Sequence, residues 1–156
     1  MTIEFMRDLL SKDEKITVEY KTCQHGVQED VYETVCSFSN RYGGYIIMGV
    51  EDDGTPIGIN PNMVKDMKKN FVNQLNNPDK MSPTLYLSIE DIVYEGMTLL
   101  WVYVPPTSTV EKCANRIYDR NEDGDMDITD SPIQLQNMYN RKSNTYAEHK
   151  IFPYVT

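Results

Sequence analysis

The apolar positions alternate between helical and strand spacing along the chain. Thr2 is placed to cap a short helix in which Phe5, Met6, Leu9 and Leu10 share one face. A polar break from Ser11 to Lys15 follows. Ile16 to Lys21 alternates as a strand does, with Glu19 and Lys21 on one side and Val18 and Tyr20 on the other. Apolar residues at 27, 31, 35, 38 and 42 then mark one stripe of a helix from Val27 to Tyr42. The pair Gly43-Gly44 stops it, because glycine enters the left-handed region that terminates helices.

Tyr45 to Val50 carries no charge and reads as a strand buried on both faces. Glu51-Asp52-Asp53-Gly54 turns the chain into a second short strand, Pro56 to Ile59, which completes a hairpin. Asn60 caps and Pro61 opens another helix, with Met63, Met67, Phe71 and Leu75 as its buried stripe. Asn76 to Pro83 is a linker. From Leu85 to Tyr94 the apolar phase runs 85, 87, 89 and then 92, 94, which predicts a strand with a bulge near Glu90 and Asp91. Met97 to Val104 is apolar on both sides and belongs in the middle of a sheet. Arg116 to Tyr118 reads as a further strand, whereas Pro132 to Tyr139 fits helix and strand equally. The tail from Ile151 to Thr156 remains apolar and aromatic, as expected of a chain that continues into a longer protein.

Composition narrows the function. At 156 residues there is material for one domain with its own core. No run of 18 apolar residues occurs, and the start MTIEFMRDLL lacks the basic and apolar regions of a signal peptide, so a cytoplasmic protein away from membranes is expected. Three cysteines, Cys23, Cys36 and Cys113, form no CxxC pair and suggest neither a disulfide framework nor a zinc site. The net charge of −9 argues against a general polyanion binder. Much of it is local, since residues 119–130 hold six acids and one arginine. Lys65, Lys68 and Lys69, on the outer side of their helix, are the compact basic patch. They suit a solvated face or a nucleic-acid contact.

Two constellations could carry chemistry. Glu14, Glu19 and Lys21 together with Glu51 and Asp52 offer the carboxylates that a divalent ion needs to hold a phosphate and activate water, with a lysine to neutralise developing charge. A strict strand would put Glu14 and Glu19 on opposite faces, so Glu14 must come from the preceding loop. The alternative is an exposed strand edge with Glu and Lys pairs. The second constellation is residues 119–130. Asp119, Asn121, Asp123, Asp125, Asp127 and Asp130 take positions 1, 3, 5, 7, 9 and 12 of a calcium loop, and Gly124 takes position 6. Asp130 is shorter than the usual glutamate, and no clear helix precedes the loop. A structural calcium site or an acidic surface hairpin both fit.

VEYKTC at 18–23, ETVCSFSNRYGGYIIMGVEDDGTPIGI at 33–59 and VYVPPTS at 102–108 resemble the AlbA_2 domain of the Schlafen group, a DNA-binding type found in bacterial regulator-like proteins. The family pattern has a VEFK strand, an AFANTDGG helix end, an IGVDDDG hairpin and a VPPS strand end. The resemblance implies an α+β fold, a mixed β-sheet flanked by two to three helices, and a nucleic-acid-binding domain of a bacterial regulator or defence protein. In Schlafen relatives it also implies RNA cleavage by three carboxylates with Mg2+ or Mn2+, which map to Glu14, Glu19 and either Glu51 or Asp52. Schlafen proteins pair two lobes, so a single lobe implies a homodimer or a partner domain elsewhere in the chain. A YxRxGSS element near the family's domain end maps to the stretch starting at Tyr139, with Arg141 and Lys142 as phosphate contacts or else part of a polar turn, and with Arg116 to Arg120 as a rival match. A third function class, a calcium-stabilised interaction module, fits the negative charge. ATP binding finds no support, because no GxxxxGK[ST] loop exists and the glycine pair lies at a helix end.

Overall fold

A computed structural model describes residues 1–11 and 16–151, with residues 145–151 as backbone only. Glu14 and the 152–156 tail therefore lie outside the described residues. The chain runs α1 (Ile3–Leu10), β1 (Val18–Lys21), α2 (Glu29–Asn40), β2 (Gly44–Met48), a 3-10 turn (Pro61–Met63), α3 (Val64–Leu75), β3 (Met81–Ser82), β4 (Ile89–Tyr94), β5 (Met97–Val104), β6 (Lys112–Cys113), β7 (Tyr118–Asn121), β8 (Gly124–Asp127) and α4 (Pro132–Ile151). The main sheet has the order β1-β2-β5-β4, with β1 and β2 parallel and the other pairs antiparallel. This is the mixed α+β architecture expected from the sequence.

Both sheet faces are covered, which explains the uncharged strands. One face, with Ile46, Met48, Leu100, Val102 and Val104, packs against α2 and α3. The other, with Val18, Tyr20, Ile47 and Leu99, packs under α1 through Met6 and Leu9. The Thr2 hydroxyl accepts a hydrogen bond from the Phe5 amide at 3.0 Å, as its capping position predicts. Burying both faces sets the phase change in β4. Ile89 joins the α2 side, while Ile92 and Tyr94 join the α1 side. No bulge is involved, since the pairing with β5 is unbroken from Ile89↔Val102 to Tyr94↔Met97. The strand expected at Pro56 to Ile59 is likewise absent. Pro56 makes a single bridge with Val50, and the amides of Ile57 and Gly58 both donate to the Gly49 carbonyl, so no ladder develops.

The helix before the glycine pair ends at Asn40, and Gly43 takes the left-handed conformation, at φ 74°. Gly44 is needed for a different reason. A Cβ there would lie 2.6 Å from the Thr17 carbonyl oxygen and 2.9 Å from the Phe38 ring. Gly44→Ala is expected to destabilise the fold by about 1–3 kcal/mol through overpacking, read as a lower urea midpoint with unchanged slope.

Beyond the sheet, α2 has a second partner. From Val31 to Asn40 every residue except Glu33 is buried, because the β7-β8 hairpin lies across the helix side that faces away from the sheet. Pro132 starts α4 at the first helical position, which resolves the ambiguous segment as a helix. Met138 packs there on Ile117 and Ile128.

Candidate functional site

β1 turns Glu19 and Lys21 toward the α2 side of the sheet, because their neighbours Val18 and Tyr20 are held under α1. The two side chains form the floor of a polar depression of about 440 Å³, which Gln28 and Asp30 at the start of α2 also line. Asp52, exposed on the turn after β2, lines the same depression. The structure thus brings together Glu19, Lys21 and Asp52. Glu51 is exposed but does not line the depression, and its amide donates to Thr55 at 2.9 Å to close the turn. Lys21 donates to Asp30 at 2.9 Å and lies 3.3 Å from Glu19. Burial alone would lower its pKa, but the bond to Asp30 and the charge of Glu19 outweigh that and raise it, so the ammonium stays charged.

Glu19 is held from behind by Arg120, the arginine of the rival YxR match, which is buried rather than turned outward. Arg120 is 2% exposed, donates to Glu19 Oε2 at 2.7 Å and to Asp125 Oδ1 at 2.9 Å, and rests over the Phe38 ring at 4.8 Å. Asp125 in turn accepts hydrogen bonds from Thr34 and Ser37 of α2. A legible signal lay in α2 itself, where Thr34, Ser37, Ser39 and Asn40 place small polar groups on a helix read as having one apolar stripe. Such groups are buried when they have partners waiting.

Of the two readings of residues 119–130, a structural calcium site and an acidic surface hairpin, the fold has the hairpin. Residues 118–127 form a β-hairpin with pairs Asp119↔Met126 and Arg120↔Asp125. Strand alternation sends Asp119 and Asn121 to one face and Asp125 and Asp127 to the other, so the oxygens diverge instead of curling round a point. Their partners are largely cations already in the chain. Asp119 pairs with Arg41 at 2.6 Å, and Asp127 and Asp130 pair with Arg116 at 2.7 and 3.1 Å. The Asn121 carboxamide oxygen accepts from the Asp123 amide at 2.8 Å across the turn.

The basic candidates also separate. Lys65 and Lys69 are exposed on α3, whereas Lys68 is paired with Asp91 on β4. Lys142 is corrected from phosphate contact to structural anchor. It is buried, and its ammonium donates to Ser39 O, Thr107 O, Thr107 Oγ1 and Thr109 O at 2.6–3.1 Å, so it faces inward. Arg141 is partly exposed, donates to the Asn40 carbonyl at 2.7 Å and lies 3.6 Å from Asp119. Among the described residues no three acidic, histidine or cysteine side chains stand close enough to hold one metal ion. No helix among them is long and apolar enough to cross a membrane.

A family model described as "Schlafen, AlbA_2" matches residues 4–129. Among solved structures, the chain is similar to the N-terminal domain of a DNA helicase RecG-related protein from Nitrosomonas europaea. Identity is 26%, coverage is 67% of this chain and 72% of that one, and the TM-score is 0.54. It also shares a fold with the DIP2311 protein from Corynebacterium diphtheriae at 16% identity and a TM-score of 0.56. That match takes in 80% of this chain and 26% of the larger one. No curated protein matches.

Proposed function

Since the chain belongs to the Schlafen AlbA_2 family, we propose that it is a nucleic-acid-binding domain of a larger regulator or defence protein. The observation that carries this reading is the family match over residues 4–129, supported by the likeness to a domain from a DNA helicase-related protein. With a net charge of −9, few cations are available for phosphates, and Lys65 and Lys69 are the exposed pair on α3. Binding should therefore be weak, with a shallow salt dependence, because the slope scales with the number of phosphates neutralised. Filter binding at low salt is expected to detect it, and the double variant Lys65→Glu, Lys69→Glu should weaken it. Absence of binding to DNA and RNA at low salt would overturn the reading.

A second reading is favoured by the meeting of Glu19, Lys21 and Asp52 in one depression, namely a metal-dependent RNA endonuclease. Here the fit to a divalent ion is incomplete. The Glu19 oxygens already face Lys21 and Arg120, and a three-carboxylate site would need Glu14 as well. Transfer RNA incubated with Mn2+ and the protein decides this. Cleavage that is lost in Asp52→Asn but kept in Glu51→Gln supports the nuclease and assigns the third carboxylate. Binding without cleavage leaves the binding domain alone. Asp52 is exposed, so its substitution leaves the fold intact.

A further inference from the structure

The main sheet has two edges, and they differ. β1, the edge that carries Glu19 and Lys21, meets the β7-β8 hairpin, whose Arg120 donates to the Val18 carbonyl oxygen at 3.4 Å and to Glu19 Oε2 at 2.7 Å. β4, at the opposite edge, pairs with β5 along its whole length and with no other strand. Among the described residues, no backbone hydrogen bond outside that ladder reaches Ile89–Tyr94. An antiparallel strand spends only alternate N–H and C=O pairs on one neighbour, so the rest of β4's polar backbone points outward. The side chains along it stay open as well. Glu90 and Asp91 are exposed, and Val93 is 63% exposed.

Bare strand edges pair with other strands, and proteins ordinarily blunt them with proline, a bulge or charge. β4, with the sequence IEDIVY, has no proline, and its register with β5 is unbroken. Charge is the device here, and it is of one sign. Strand alternation puts Glu90 on the α1 side with Ile92 and Tyr94, and puts Asp91 and Val93 on the α3 side with Ile89. Lys68 of α3 pairs with Asp91. Glu90 and Glu95, both exposed, have no ion pair among the described residues.

Uncompensated acids on an open edge discriminate between occupants. A second copy would bring its own Glu90 and Asp91 into the same ladder, where like charges destabilise pairing. The net charge of −9 on each chain adds repulsion at longer range. An extended segment with a lysine or arginine beside Glu90 instead gains an opposite-charge pair while it supplies the missing backbone partners.

We propose that the β4 edge takes up an extended cationic segment of a partner protein as a fifth strand of the sheet. A lysine or arginine of that segment lies next to Glu90, and apolar side chains lie next to Ile92 and Val93. The surface is separate from the Glu19 depression, which sits at the other edge, and does not depend on the nucleic-acid reading.

The test uses the fluorescein-labelled peptide TVVTKTK, written to run antiparallel to β4, with anisotropy reporting binding and amide hydrogen exchange reporting its place. Saturable binding with slowed exchange over Ile89–Tyr94 is expected. The same peptide with glutamate for both lysines should bind about tenfold more weakly, and Glu90→Lys in the protein should weaken the parent peptide about fivefold. Two further peptides, N-methylated at alternate residues in either phase, separate backbone pairing from charge attraction. One phase removes the donors that face β4, so one of the two should fail to bind. Equal binding of both methylated forms, indifference to Glu90→Lys, or slowed exchange only outside β4 would overturn the proposal. Absence of peptide binding at low salt would overturn it as well. Slowed β4 exchange that grows with protein concentration in the absence of peptide would assign the edge to a second copy and also overturn it.

Discussion

Arg120→Met is expected to cost about 3–5 kcal/mol of stability, the amount associated with removing one partner of a buried ion pair. The arginine is 2% exposed, and Glu19 and Asp125 on either side of it are 13% and 16% exposed at the side chain. Without the guanidinium, two carboxylates remain in a poorly hydrated space. Methionine supplies volume against Phe38 but no charge. The urea midpoint should fall sharply with little change in slope. A triple variant, Glu19→Gln, Arg120→Met, Asp125→Asn, should recover much of the loss, because replacing a whole buried ionic set is far cheaper than breaking it. A single variant within about 1 kcal/mol of the parent would show that the triad is not a structural brace. The same loss would leave the Glu19 carboxylate held by Lys21 alone, so function at the depression should suffer in Arg120→Met beyond its effect on folding.

This triad shows how the acids of the calcium-like pattern are engaged within a hairpin. Ligand spacing in sequence implies a site only if the backbone curls, and nothing in the order of acids distinguishes a curled loop from a hairpin. Arg120 and Arg116 were the discriminating residues, as each gives the acids a partner within the chain. Local rhythm was a good guide where one neighbour decides a segment. The α1 cap, the central position of β5 and the end of α2 near the glycine pair were readable for that reason. It failed where two neighbours compete. β4 serves both sheet faces and so imitates a bulge, and α2 is enclosed by sheet and hairpin together, so its polar residues do not mark a wet face. Of the carboxylate site, Glu19 and Lys21 on one strand face were legible from alternation alone. The choice of Asp52 over Glu51 as the residue facing them depends on how the turn bends, which sequence spacing does not fix.

Stability should fall as pH rises from about 4.5 to 7, and Glu111 is the cause. Its side chain is 1% exposed, and Oε2 has no hydrogen-bond partner among the described residues. Burial pushes its carboxyl up from 4.5 to about 7, against the opposing charge of Lys142. In the unfolded chain the group ionises near its ordinary value. Between the two pKa values the unfolded state therefore holds fewer protons than the folded one, and linkage makes stability decrease with pH. The cost levels off above about 7 and amounts to at most about 3 kcal/mol. Lys142 acts in the other direction and in another window. Burial lowers its pKa from 10.5 to about 8, so stability rises with pH between those values and is flat below them. The profile should therefore have a shallow minimum between about pH 7 and 8. Glu111→Gln should abolish the decline on the acidic side while leaving the alkaline rise. Because the Asn40 side chain meets Glu111 through Glu111's backbone atoms, these hydrogen bonds at 2.8 and 3.0 Å survive the substitution and the local fold is kept. Chemical denaturation at steps from pH 4.5 to 9 reads both limbs, and a parent profile flat from 4.5 to 7 would show that the Glu111 carboxyl ionises normally in the folded protein.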